Sequence, residues 1–318
     1  MKSVVLDGFA VNPGDLSWDF LSEFGEYKVY DKTEACDTAD RIGDAEIVLT
    51  NRTLITKELL DKCRKIKFVT ALGTGYDMID VSVCRIRGVE VCNVPGYSTD
   101  SVAQFAFTLL LRLVTDLDGY CGIVRAGKWT GMPGVAYQNI KYSELAGKTV
   151  GIYGCGAIGS RFGTMCRAFG MRVLGYRRSV TDTTADGIEY VSEETLLAES
   201  DFISFHCPLT DATRGLVNRG LISRMKRGAY LINTSRGAVI HEADLAEALS
   251  SGYLSGAALD VMCKEPPDRS NPLLSAPNCI VTPHCAWTTR EARQRLLQML
   301  ASNIRSFIQT GIGINRVF

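Results

Sequence analysis

Residues 148–170 read KTVGIYGCGAIGSRFGTMCRAFG. The first part, TVGIY at 149–153, is a short apolar run of β-favouring residues. Gly154-x-Gly156-x-x-Gly159 follows without a gap. Ile158, Phe162, Met165, Cys166 and Phe169 then recur at helical spacing, and Gly170 supplies a helix stop. Strand, glycine turn and helix in that order turn a common pattern into the expectation of a dinucleotide site. Gly154 allows the tight turn, Gly156 lets a pyrophosphate approach the backbone, and Gly159 lets the helix lie close to the strand. The N–H groups of Ala157, Ile158 and Gly159 open that helix, where unpaired donors and the positive dipole end suit phosphates.

Outward from this stretch the chain runs to 318 residues, which favours two domains over one. Its 35 basic and 35 acidic residues cancel, and no basic block stands out. Nucleic acid and an anionic membrane surface are therefore not expected as partners. No apolar run is long enough to span a bilayer, and the opening run SVVL is too short for a secretory signal. The eleven cysteines are scattered, with no CxxC pair. They read as reduced thiols of a cytoplasmic protein, and no metal site is expected.

Strand and helix patterns alternate along the chain. Strands are expected at 2–6, 27–30, 45–50, 67–71 and 89–92, with helices at 38–43, 56–63 and 80–87. Asn93-Val94-Pro95-Gly96 breaks this first series. A helix follows at 98–114, capped by Thr99 or Asp100 and apolar nearly all round from Val102, as in the centre of a domain or at a subunit contact. Residues 127–147 read as a long loop. Strands at 172–176, 202–205, 230–232, 255–259 and 279–281 continue the glycine-rich unit, with helices at 193–199 and 241–251, and a long amphipathic helix covers 286–310. Such βα alternation predicts an α/β fold with two doubly wound parallel-sheet domains. The boundaries expected are 1–97 plus 289–318 for one domain and 98–288 for the other, with a ligand cleft between them.

Three histidines are present: His206, His241 and His284. One of them is the natural general acid–base near neutral pH. His206 and His284 both follow strand ends, where open α/β sheets bind ligands, and the sequence leaves them as rivals. Arg236, in the NTSRG segment 233–237, follows another strand and is suited to a carboxylate through two parallel hydrogen bonds. Asp260 and Glu265 follow the strand at 255–259, and one of them can orient a histidine.

NTSRG at 233–237, LDVMCKEPP at 259–267 and TPHCAW at 282–287 resemble the signatures of the D-isomer-specific 2-hydroxyacid dehydrogenases. The segments 71–80, 93–111 and 205–218 fit as well, so the resemblance covers nearly the whole chain. Its wording is most similar to that of glycerate dehydrogenases, also called hydroxypyruvate reductases. The resemblance implies a Rossmann-type cofactor domain plus a flavodoxin-like substrate domain. It implies hydride transfer between a nicotinamide cofactor, NAD(P), and a small D-2-hydroxy acid or 2-keto acid, with glycerate/hydroxypyruvate or glyoxylate foremost. It also implies a homodimer formed through the 102–114 region.

Residue roles follow from the same resemblance. Arg236 binds the substrate carboxylate and polarises the keto oxygen. His284 donates the proton in reduction, and Glu265 holds it. The backbone of Leu72, Gly73, Thr74 and Gly75 also holds the carboxylate, with Thr74 reaching the cofactor. Asp260 receives the nicotinamide carboxamide, Thr234 and Ser235 line the nicotinamide, and Pro208 and Thr213 face the adenosine half. His206 becomes structural. A cofactor-sensing, corepressor-like binding protein is the alternative on this scaffold, and retention of Arg236, Glu265 and His284 argues against it. A formate dehydrogenase is disfavoured because that family typically pairs its histidine with glutamine.

One departure concerns the cofactor. An acid that binds the ribose 2′-hydroxyl is expected about 20 residues past the glycines. Here Arg177, Arg178 and Ser179 stand at the strand end, and no acid occurs until Asp182. Two cations and a hydroxyl suit a 2′-phosphate, so NADPH is expected to be accepted and preferred.

Overall fold

The computed structural model describes residues 1–130, 140–178 and 183–318. Two compact units emerge: Met1–Ser98 with Trp287–Phe318, and Thr99–Ala286.

The first unit carries strands β1 (Ser3–Val5), β2 (Tyr27–Val29), β3 (Ile47–Thr50), β4 (Phe68–Ala71) and β5 (Glu90–Cys92). All pair in parallel, in the order β2-β1-β3-β4-β5. The order reverses at β1, which makes the sheet doubly wound. IVLT of β3 and FVTA of β4 are buried throughout, because helices cover both faces of a parallel sheet. The last helix, Arg290–Thr310, belongs to this unit although it lies far along the chain. Arg293 ties it down, bonding both carboxylate oxygens of Asp15 at 2.6 and 2.8 Å and the carbonyl of Val11 at 3.0 Å. The Arg293 guanidinium holds the Asp15 carboxyl below the usual carboxylate range.

The second unit carries β6 (Thr149–Tyr153), β7 (Arg172–Tyr176), β8 (Thr183–Ala185), β9 (Ile188–Tyr190), β10 (Phe202–Phe205), β11 (Tyr230–Asn233), β12 (Gly256–Leu259) and β13 (Cys279–Val281). Their order is β13-β12-β11-β10-β6-β7-β9-β8. Only the β8–β9 pair is antiparallel among the described residues. Asp186 and Gly187 join that pair, both with positive φ (54° and 73°), as a two-residue type I′ hairpin turn requires. This hairpin leaves no clear signal in the sequence because each strand is only three residues long. The helix Leu117–Arg125 is equally silent, since it buries none of its residues and so carries no core periodicity.

The helix Thr99–Val114 packs against the helix Ala157–Ala168 and against β11 and β12, and is central to its unit. Thr99 and Asp100 are the first two residues of this helix, and Asp100 pairs with Arg161 at 2.8 Å. Part of the loop expected at 127–147, residues 131–139, lies outside the described residues. No described helix is long and apolar enough to cross a membrane.

Asp7 shows how a strand end is organised in the first unit. It is buried, and one carboxylate oxygen accepts from the N–H groups of Asn51, Arg52 and Thr53 at 3.0, 2.9 and 3.0 Å. Burial alone raises its pKa, but the donors of Arg52, Thr53 and Asn51 outweigh it, and the carboxyl lies below its ordinary value. A depressed folded pKa means that the contribution is present above the ordinary carboxylate range and is lost as pH falls through the folded value. Asp7→Ala strands three donors and is expected to cost about 3 kcal/mol of stability in urea unfolding at pH 7. The difference from wild type should shrink at acid pH.

Candidate active site

β13, β12, β11, β10 and β6 run parallel, so the loops leaving their carboxyl ends share one edge of the sheet. The glycine turn leaves β6. Gly154 has φ +99°, and a Cβ there would lie 2.7 Å from the backbone nitrogen of Cys207. A Cβ on Gly159 would lie 2.5 Å from the carbonyl oxygen of Gly154. Gly156 is different, because nothing lies within 4 Å of a Cβ built on it. No side chain caps the helix Ala157–Ala168. Its first backbone bond runs from Ser160 N–H to Gly156 O at 2.9 Å. The N–H groups of Ala157, Ile158 and Gly159 therefore have no partner among the described residues, at the positive end of the helix.

The loop after β11 folds on Asn233, whose side chain is fully buried. Its Oδ1 accepts from Ser235 N–H and Ser235 Oγ at 2.9 and 2.8 Å, and its Nδ2 donates to Arg236 O at 2.9 Å. Arg236 is half-buried, and its Nη1 donates to Ser235 O at 3.0 Å. Gly237 brings this loop against the next one: a Cβ on it would lie 2.0 Å from the carbonyl carbon of Met262. Met262 N–H in turn donates to Glu265 Oε1 at 3.1 Å. Glu265 Oε2 lies 2.7 Å from His284 Nδ1, with both side chains about a quarter to a third exposed (26% and 30%). A carboxylate accepts only, so Nδ1 carries the hydrogen and Nε2 stays outside this pair.

His284 adopts φ +54°, uncommon for a residue other than glycine. Asp260 holds the loop that imposes this conformation. Its Oδ1 accepts from Thr282 Oγ1 at 2.6 Å and Cys285 N–H at 2.9 Å, and its Oδ2 accepts from Ala286 N–H at 2.8 Å. The two acids thus divide the work: Glu265 holds the ring and Asp260 holds the backbone. The carboxamide role expected of Asp260 meets a group already engaged by its own loop.

The rivalry between histidines has a physical answer. His206 Nε2 lies 2.8 Å from Ser204 Oγ and its ring lies 5.3 Å from that of Phe162. Burial pushes its pKa down to about 4, so it stays neutral at pH 7. His241 sits at the start of a helix, 3.1 Å from Asp244.

Arg177 follows β7. Its Nη2 donates to Cys155 O inside the glycine turn, and its guanidinium lies over the ring of Tyr190, 5.1 Å from the centroid. Arg178 is exposed, and Ser179 and Asp182 lie outside the described residues. After β10 the Thr213 hydroxyl closes its own loop, donating to Pro208 O at 2.7 Å and accepting from Thr210 N–H at 2.8 Å. In the first unit, residues 72–75 leave the carboxyl end of β4. The N–H groups of Gly73, Thr74 and Gly75 make no hydrogen bond among the described residues.

Three features of the second unit fit a nicotinamide dinucleotide. They are the open approach at Gly156, the unpaired N–H groups that start the helix, and Thr234 Oγ1, which is buried beside Arg236 without a hydrogen-bond partner. Among the described residues no group of His, Cys, Asp and Glu is placed to hold a metal ion.

Residues 107–286 match the family described as D-isomer specific 2-hydroxyacid dehydrogenase, NAD binding domain. The chain is 43% identical over 313 residues to a hydroxypyruvate reductase of Blautia hydrogenotrophica, covering 97% of each. Among solved structures it resembles an acyclic imino acid reductase in complex with NADPH and D-Arg, with TM-score 0.87, 30% identity and all of both chains covered. It also resembles a D-lactate dehydrogenase of Aquifex aeolicus complexed with NAD and lactic acid, with TM-score 0.84, 29% identity and 99% of each chain covered. The chain belongs to the D-isomer specific 2-hydroxyacid dehydrogenases, oxidoreductases that move a hydride between a nicotinamide cofactor and a small hydroxy or keto acid.

Asn233, Gly237 and Thr282 were not singled out as site residues from sequence. Asn and Gly flanking Thr-Ser-Arg are the signal that was available, since an Asx turn and a close backbone approach favour these two residue types. Gly237→Ala drives a Cβ into the Met262 backbone, which cannot swing aside. Displacing the Arg236 loop by about 1 Å is expected to lower kcat/KM for a 2-keto acid about 100-fold. Cofactor affinity, read by fluorescence titration, should change far less.

Proposed function

We propose that this chain reduces hydroxypyruvate, and glyoxylate as a second substrate, with NADPH accepted and preferred over NADH. The 2.7 Å contact between His284 and Glu265, on loops adjoining that of Arg236, carries this reading. The similarity to a hydroxypyruvate reductase supports the choice of substrate.

When bound, the reduced cofactor supplies a hydride to the carbonyl carbon. Negative charge then grows on the carbonyl oxygen. The Arg236 guanidinium pairs with the carboxylate through two N–H donors and lowers the energy of the developing charge. His284 Nε2 donates its proton to that oxygen, while Glu265 keeps Nδ1 engaged and the ring fixed. Thr234 and Ser235 would line the nicotinamide, and the N–H groups of Ala157, Ile158 and Gly159 would hold the pyrophosphate. The unpaired N–H groups of Gly73, Thr74 and Gly75 supply donors for the substrate carboxylate.

Arg177 and Arg178 carry the cofactor preference. A guanidinium anchored at the glycine turn, with a second exposed arginine beside it, favours a phosphate over a hydroxyl. A homodimer and a cytosolic location complete the reading. The helix Leu117–Arg125 buries nothing and leaves Leu117 and Val124 exposed, and all eleven cysteines are free.

Steady-state kinetics with a panel of 2-keto acids and both cofactors test the proposal. Hydroxypyruvate with NADPH should give the highest kcat/KM, and His284→Asn should lower kcat about 10²–10⁴-fold. A much higher kcat/KM with NADH contradicts the phosphate reading. A near wild-type His284→Asn contradicts the acid–base assignment.

A further inference from the structure

The turn at 72–75 is supported mainly from outside itself, by the segment that follows β5. Gly73 O accepts from Val94 N–H at 2.9 Å. Thr74 O accepts from Asn93 Nδ2 at 2.8 Å, and Thr74 Oγ1 donates to Val94 O at 3.0 Å. The carbonyls of Gly73 and Thr74 are thus drawn to the segment that follows β5, whereas Leu72 O accepts from Asn51 Nδ2 at 3.2 Å. A peptide whose carbonyl is pinned on one side presents its N–H on the other, because the unit is planar and trans. Asn93 is itself fixed from behind. Its N–H donates to Asn315 O at 3.2 Å, and its carbonyl accepts from Asn303 Nδ2 at 2.9 Å. Asn303 is fully buried in the last helix, and its Oδ1 accepts from Asn315 N–H and Asn315 Nδ2 at 3.1 and 2.9 Å. All three asparagines belong to the first unit.

We infer that Asn93 is a positioning residue for substrate, its side chain and the Val94 N–H beside it aiming the N–H groups of Thr74 and Gly75 at the carboxylate, and that Asn303 holds Asn93 in place for this purpose. The inference rests on the reading of 72–75 as a carboxylate site. A fully buried asparagine in mid-helix gains little from helix propensity, and its hydrogen bonds account for its presence there. Asn93 touches neither substrate nor cofactor in this account. It acts by denying the turn other conformations.

The test uses the full chain, hydroxypyruvate as variable substrate and saturating cofactor. Asn93→Ala removes one hydrogen bond to the turn, and KM for hydroxypyruvate should rise about fivefold, the equivalent of about 1 kcal/mol. The dissociation constant of the cofactor should stay within about twofold. Thr74→Val lies on an exposed turn and tolerates folding defects better; losing its bond to Val94 O should raise KM in the same direction. Asn303→Asp keeps the acceptor for Asn315 and loses the donor to Asn93 O, so it should also raise KM while the cofactor constant holds. If Asn93→Ala lowers the unfolding temperature but leaves KM unchanged, its role is structural and the inference fails. Thr74→Pro separates that failure from failure of the carboxylate reading, because it deletes one of the N–H groups itself. If Thr74→Pro leaves KM unchanged, the turn is not the carboxylate site, and the inference falls with it.

Discussion

The Asp260 carboxylate, 1% exposed, is the interaction on which the site depends. An ionised group taken out of water loses several kcal/mol of hydration. Here the hydroxyl of Thr282 and the N–H groups of Cys285 and Ala286 replace that hydration. All three donors sit in the short segment that carries His284. The same bonds that make the buried carboxylate tolerable therefore fix the backbone on both sides of the histidine. They also hold it at φ +54°, a conformation with no intrinsic preference in its favour.

From that anchor the remaining parts are placed by contact. β12 ends beside β11, and Asp260 N–H donates to Asn233 O at 2.9 Å, which joins the loops that carry Arg236 and Glu265. Gly237 lets those loops touch at Met262, and Met262 holds Glu265 by its N–H. The arginine, the glutamate and the histidine come from three strand ends, and each loop is braced by the next. An open parallel sheet makes this natural, since every strand delivers its loop to the same edge. Burial separates the two candidate histidines: His206, held to a pKa of about 4, is neutral near pH 7.

Much of this was legible in the sequence, and for particular reasons. TVGIY, FISF and IVLT are apolar runs buried on both faces, so β6, β10 and β3 were readable from composition alone. Thr56 caps its helix through the N–H of Leu59, and Asp80 caps the next through Val83, as their residue types suggest. The family motifs named Arg236, Glu265 and His284 before any geometry. What stayed hidden were partnerships across long sequence separations. Nothing local shows that Asp260 binds residues 22 to 26 positions away, or that Asn303 reaches Asn93 across 210. The hairpin at Asp186-Gly187 was hidden by its brevity, and the helix Leu117–Arg125 by its lack of a buried face.

In the proposed function one imidazole, that of His284, moves the proton in both directions of the reaction. Single-turnover rates of hydroxypyruvate reduction and D-glycerate oxidation, followed by cofactor absorbance across pH, test it most directly. Reduction needs the protonated ring and oxidation the neutral ring. Reduction should fall and oxidation rise over one shared pH interval, and both slopes should vanish in His284→Asn. Rates in the two directions that show no common interval, or slopes that survive the substitution, would contradict it.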